Sequence, residues 1–92
     1  MTVTRLIIHG RVQGVGYRAW LAEQARATGI DGWVRNRRDG TVEALLYADD
    51  RSLEVFIADC RQGPPLARVT HVDIFEEVAS DISDGFSILT TA

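Results

Sequence analysis

The chain has 92 residues, 46% of them apolar, a net charge of −3 and one cysteine, Cys60. That is the length of a single domain spanning residues 1–92, able to bury somewhat over ~60% of its unfolded surface in one core without staples. The single cysteine excludes an internal disulfide and a thiolate metal site, no apolar run approaches the ~20 residues of a membrane span, and residues 1–5 lack a signal-peptide layout, so a soluble protein of the reducing cytoplasm is expected.

The charge is unevenly spread. Residues 1–40 carry seven arginines against three acids, a balance of +4, and residues 41–92 carry three arginines against ten acids, a balance of −7. An anion site therefore belongs in the first half, and the acidic second half opposes general nucleic-acid binding. Every basic side chain is arginine, which removes lysine chemistry from consideration.

Residues 4–12 read as a strand, with Leu6, Ile8, Gly10 and Val12 on one face and Arg5, Ile7, His9 and Arg11 on the other. The stretch Gly10 to Arg18 then holds three of the eight glycines and is bracketed by arginines. Ala19 to Thr28 reads as a helix whose stripe is Arg18, Leu21, Ala22 and Ala25, with Gly29 at the C-cap. This stripe directs Arg18 inward or back over the loop. Ile30 to Arg35 is a second strand, Asn36 to Gly40 a hairpin turn, and Thr41 to Tyr47 a third strand. Asp49, Asp50 and Ser52 are cap candidates for a second helix with the stripe Leu53, Phe56, Ile57 and Cys60, stopped by Gly63-Pro64-Pro65. Val69 to Val78 is a fourth strand, expected to be irregular around Glu76 and Glu77. Residues 79–85 form a polar loop, and Phe86 to Leu89 a short last strand. The order β-α-β-β-α-β with a short extra C-terminal strand gives an α+β, ferredoxin-like sandwich, with two helices on one face of an antiparallel sheet.

A glycine-rich turn running into a helix N-terminus is suited to anions, because successive amides and the helix dipole converge there. Arg18 at the helix start adds a planar guanidinium capable of bidentate phosphate contact. The loop is neither a P-loop nor a dinucleotide fingerprint.

The run Gly10-Arg11-Val12-Gln13-Gly14-Val15-Gly16-Tyr17-Arg18 resembles the phosphate-loop signature of the acylphosphatase family, G-x-V-Q-G-V-G-[FY]-R. Gly32-Trp33-Val34-Arg35-Asn36, continuing through Asp39-Gly40-Thr41-Val42-Glu43, resembles its second signature, and the resemblance covers the whole chain. It implies hydrolysis of the carboxyl–phosphate bond of acyl phosphates, with no cofactor and no metal. Arg18 matches the phosphate-binding arginine, Asn36 the asparagine that positions the attacking water, and Gln13, Gly14, Val15, Gly16 and Tyr17 the backbone cradle. The tail, Phe86 to Ala92, departs from the basic or aromatic ending often seen in the family.

The chemistry is consistent with these roles. An acyl phosphate has a good carboxylate leaving group, so positioning and charge stabilisation suffice. The expected partners are a small acyl phosphate and inorganic phosphate, the latter as product and competitive inhibitor, with no nucleic acid and no membrane, the protein acting as a monomer. The alternatives are a non-catalytic anion-sensing module, which keeps the loop without needing Asn36, and an RNA-binding module, which needs stacking aromatics on strands one and three. Strand one has none and strand three only Tyr47. His9 and His71 read as solvated or paired, Cys60 as core, Asp49 and Asp50 as caps, and Trp33 as an open-face residue.

Overall fold

The computed structural model describes residues 1–78 and 82–92. Of the polar loop expected over 79–85, positions 79–81 lie outside the described residues. The elements are β1 (Thr2–Arg11), α1 (Tyr17–Thr28), β2 (Asp31–Asn36), β3 (Val42–Ala48), α2 (Asp50–Gln62), β4 (Arg68–Glu77) and β5 (Phe86–Ile88). The strands form one five-stranded sheet in the order β4-β1-β3-β2-β5.

Alternation builds the core. Leu6 and Ile8 of β1, Val34 of β2, and Val42, Ala44 and Leu46 of β3 are completely shielded on one face. Leu21, Ala22 and Ala25 of α1 and Leu53, Phe56 and Cys60 of α2 cover them. Each large aliphatic side chain buried in this way contributes about 1.5–3 kcal/mol of transfer free energy. Gly29 ends α1 in a left-handed conformation, and the Asp49 carboxylate caps α2 by accepting from the Ser52 amide at 2.7 Å.

Two expectations are corrected. The first four strands pair antiparallel, but β5 runs parallel to β2, so the sheet is mixed rather than wholly antiparallel. β4 ends, and β2 begins, at the same end of the sheet. A strand started from that end on the β2 edge must run alongside β2 in the same direction. Second, the irregularity in β4 does not fall at Glu76 and Glu77, which pair in register with Thr4 and Val3. The register shifts between His9 and Gly10 instead. There Gly10 has φ 121°, and a Cβ on it would lie 2.1 Å from the Arg68 carbonyl oxygen. Only glycine allows β4 to approach so closely, and the bulge redirects β1 into the loop that follows.

The sheet face away from the helices is polar but organised. Glu43, only 3% exposed, places its carboxylate between Arg5 and Arg35, with Arg35 Nε donating at 2.7 Å. Arg5 also pairs with Glu77, and the Arg35 guanidinium stacks 4.7 Å from the Trp33 ring. Trp33 thus lies on the open face, as expected. His9 and His71 both hydrogen-bond Asp73, at 2.9 and 2.6 Å. Those bonds, from His9 foremost, hold the Asp73 carboxyl below its ordinary range. Both histidines are therefore paired surface groups.

Candidate active site

β1, β2 and β5 end, and α1 begins, at one end of the sheet. A cleft of about 230 Å³ opens there, lined by Val12, Gly14, Gly16, Tyr17, Arg18, Ala19, Asn36 and Ile88. The structure thus brings Arg18 and Asn36, eighteen residues apart in the chain, to the same small hollow as the glycine-rich loop. Among the described residues no carboxylate lines it, and Arg18 carries its one formal charge.

The loop owes its shape to two glycines. Gly14 and Gly16 have φ values of 73° and 78°, and a Cβ on either would meet nothing within 4 Å. Both backbones are left-handed, and both residues are exposed. Gly16 is the N-cap of α1 and offers no side chain to it. The first amide of α1 to find a partner is that of Trp20, which donates to Gly16 O at 3.0 Å. The N–H groups of Tyr17, Arg18 and Ala19 precede that bond with no intrahelical acceptor, and no acidic residue stands in the first turn. The result is an uncompensated positive helix end facing the cleft, with Arg18, half-buried, beside it.

Asn36 arrives from the other side. Its side chain lies on the helix-facing side of β2, and its Oδ1 is buried. Among the described residues this is the one buried side-chain oxygen or nitrogen without a hydrogen-bond partner. Leaving such an acceptor unmet costs about 1–3 kcal/mol, so its persistence in a cleft points to a partner that comes from outside the protein. The main chain of Asn36 is fixed from both sides. It pairs with Val42 of β3, and its carbonyl accepts from the Ala92 amide at 3.1 Å. The tail beyond β5 continues along β2, with Leu89 N–H donating to Val34 O at 2.9 Å and Ala92 O accepting from Arg38 N–H at 3.1 Å.

The other members of the predicted cradle divide by role. Tyr17 contributes its backbone at the helix start, while its ring is 1% exposed and its hydroxyl donates to Cys60 O at 2.6 Å. Burial pushes the Tyr17 phenol well above its ordinary value and the Cys60 thiol up to about 12. Both stay neutral, so neither supplies a base or a nucleophile. Val15 packs partly buried against the core. Gln13 does not line the cleft; its side-chain amide donates to the carbonyls of Arg37 and Thr41, at 2.7 and 2.9 Å. Sequence reasoning missed that bond, along with the apolar wall made by Val12 and Ile88 and the support from the tail. Motif and periodicity identify loop backbone and strand faces, but neither registers a contact made by one amide across 24 residues.

Two wider hollows lie elsewhere. One of about 720 Å³ covers the open face, where Arg5 and Arg35 are already engaged by Glu43 and Glu77. One of about 310 Å³ lies between the end of α1 and α2, and its polar lining is Thr28, Arg51, Ser52 and Asp59. Among the described residues, no three His, Cys, Asp or Glu side chains gather in a metal-holding arrangement, and no helix is long and apolar enough to cross a membrane.

A family model described as acylphosphatase matches residues 4–88. An acylphosphatase of Rhodopseudomonas palustris (strain BisB5) is 50% identical over 96 aligned positions, covering 98% of this chain and 96% of the relative. The crystal structure of acylphosphatase from Bacillus subtilis superimposes with a TM-score of 0.92 at 36% identity, covering 97% of this chain and 99% of that one. An acylphosphatase structure from Coxiella burnetii gives 0.89 at 32% identity, covering 96% and 92%.

Proposed function

The chain belongs to the acylphosphatase family of enzymes, and we propose that it hydrolyses acyl phosphates by direct transfer of the phosphoryl group to water in the cleft between the glycine loop and Asn36. In this reading the loop amides from Gln13 to Tyr17 and the guanidinium of Arg18 hold the phosphoryl oxygens. The Asn36 Oδ1 accepts a hydrogen bond from the attacking water. A carboxamide oxygen is a poor base, so it orients the water rather than deprotonating it. The water oxygen bonds to phosphorus as the bond from phosphorus to the acyl oxygen breaks. The electron pair leaves on the carboxylate, and the water proton passes to a phosphoryl oxygen or to solvent. The charge that spreads over the phosphoryl oxygens is met by groups already in place, the condition under which such stabilisation is largest.

The observation that carries the reading is the meeting, in one cleft, of a positive helix end, one arginine and a buried, unpartnered amide oxygen. All of these groups come from one chain, so a monomer suffices. The test is release of inorganic phosphate from benzoyl phosphate, with inorganic phosphate added as inhibitor. Hydrolysis with competitive inhibition is expected, because product and substrate share the same cradle. No release would identify an anion-binding module without the reaction, and noncompetitive inhibition would place phosphate at another site.

A further inference from the structure

We propose that the side chain of Gln13 is a positioning residue for hydrolysis: its carboxamide fastens the phosphate loop to the hairpin that carries Asn36 and so sets the distance between phosphorus and the oriented water. The proposal rests on the loop holding the phosphoryl group and on Asn36 orienting the water.

The need for such a link follows from the sheet. The β1–β3 ladder ends at the pair Ile8 and Val42. Beyond it β1 continues to Arg11 beside β4 alone, while β2 and β3, whose last pair is Asn36 and Val42, turn into each other through residues 37–41. The loop and the hairpin therefore part company just where the two halves of the site must be held in register. Gln13 spans that gap. Its Nε2 donates to Arg37 O at 2.7 Å and to Thr41 O at 2.9 Å, which uses both amide protons. Arg37 and Thr41 are also the residues that close the hairpin, since Arg37 N–H donates to Thr41 O at 2.9 Å. The Asp39 carboxylate stiffens the same turn by accepting from the Thr41 amide and hydroxyl at 3.0 and 2.6 Å. Among the described residues no other side-chain hydrogen bond joins the loop to this hairpin, and Asn36 immediately precedes it.

The same geometry rules out a direct phosphate contact by this side chain. With both N–H groups donated to carbonyls, only the acceptor Oε1 remains, and an acceptor repels phosphoryl oxygens. Gln13 contributes its backbone to the cradle and its side chain to the alignment.

Gln13→Met keeps length and volume but removes both donors. Because a misplacement near 1 Å costs on the order of 100-fold in rate, this variant is expected to lower kcat by roughly 10- to 100-fold. The competitive inhibition constant for phosphate should stay within about twofold, since the loop amides and Arg18 remain. In an Asn36→Ala background the same change should cost less than about threefold, because two residues acting through one step are not additive. Gln13→Glu is the second variant: its carboxylate has no donor for the two carbonyls, and protonation restores one. Its kcat relative to the unmodified enzyme should therefore recover as pH falls through the titration of the introduced carboxyl. Independently of any substrate, amide exchange over residues 36–41 should quicken about tenfold in Gln13→Met, while that of Ala22 and Ala25 in the core of α1 stays unchanged. This last readout separates failure of the staple from failure of the acyl-phosphate reading. Unchanged exchange at the hairpin, or a Gln13→Met penalty on kcat that is as large without Asn36 as with it, would overturn the proposal.

Discussion

Asn36→Ala should lower turnover of benzoyl phosphate by at least about two orders of magnitude, the range found when a single donor or acceptor is removed from a preorganised site, worth roughly 2.7–4 kcal/mol. Inhibition by inorganic phosphate should hardly change, because Asn36 is assigned to the water and not to the phosphoryl oxygens. The fold should be unharmed. The Asn36 Oδ1 is buried without a partner in the protein, so its removal takes away a desolvated acceptor instead of a bond. The melting temperature is therefore expected to hold or rise. This combination of lost kcat, intact phosphate affinity and intact stability is specific. A variant that loses stability in proportion to activity would make Asn36 a structural residue of the hairpin. A variant that turns over normally would remove it from the reaction.

Arg18→Ala should fail differently. The guanidinium is the one formal charge lining the cleft, and among the described residues it forms no ion pair. Nothing structural depends on it that a half-exposed helix position cannot spare. Its removal should weaken phosphate inhibition and lower kcat together, the latter by roughly 100- to 1,000-fold, because it meets charge in the ground state and more of it in the transition state. Arg18→Lys is not a conservative repair, since an ammonium lacks the planar fork that contacts two phosphoryl oxygens at once. Kinetics of both variants against benzoyl phosphate, with phosphate as competitor, check the distinction. Phosphate inhibition unchanged in Arg18→Ala would place the cradle elsewhere.

Much of this was legible in the residues themselves. Alternation set Leu6 and Ile8 together on one face of the first strand, and that face is the buried one, because a strand with one buried face writes its register in period two. The helix stripe grouped Leu21, Ala22 and Ala25 and directed Arg18 inward or back over the loop; the first three are buried and Arg18 lines the cleft beside the loop. The two signature runs supplied Arg18 and Asn36 together, and the cleft contains both. What escaped is long-range. The parallel seat of β5 depends on which sheet edge the chain reaches after β4, and nothing within Phe86 to Ile88 encodes it. The bulge at His9 and Gly10 depends on how closely Arg68 approaches, although the glycine marks the spot in hindsight. The Gln13 amide meets carbonyls 24 and 28 residues away, and carbonyls have no side-chain identity to read. The second signature also means more than Asn36. Arg35 and Glu43 face each other across β2 and β3 and, with Arg5, form the ion-pair network of the open face.

In the proposed reaction water attacks phosphorus, with the phosphoryl group held by the loop. Hydrolysis of benzoyl phosphate in water enriched in oxygen-18 tests it directly, by mass spectrometry of both products. One heavy oxygen is expected in the inorganic phosphate and none in the benzoate, because the bond that breaks joins phosphorus to the acyl oxygen. Heavy oxygen in the benzoate would mean attack at the carbonyl carbon, and would contradict the roles assigned to the loop, Arg18 and Asn36 alike.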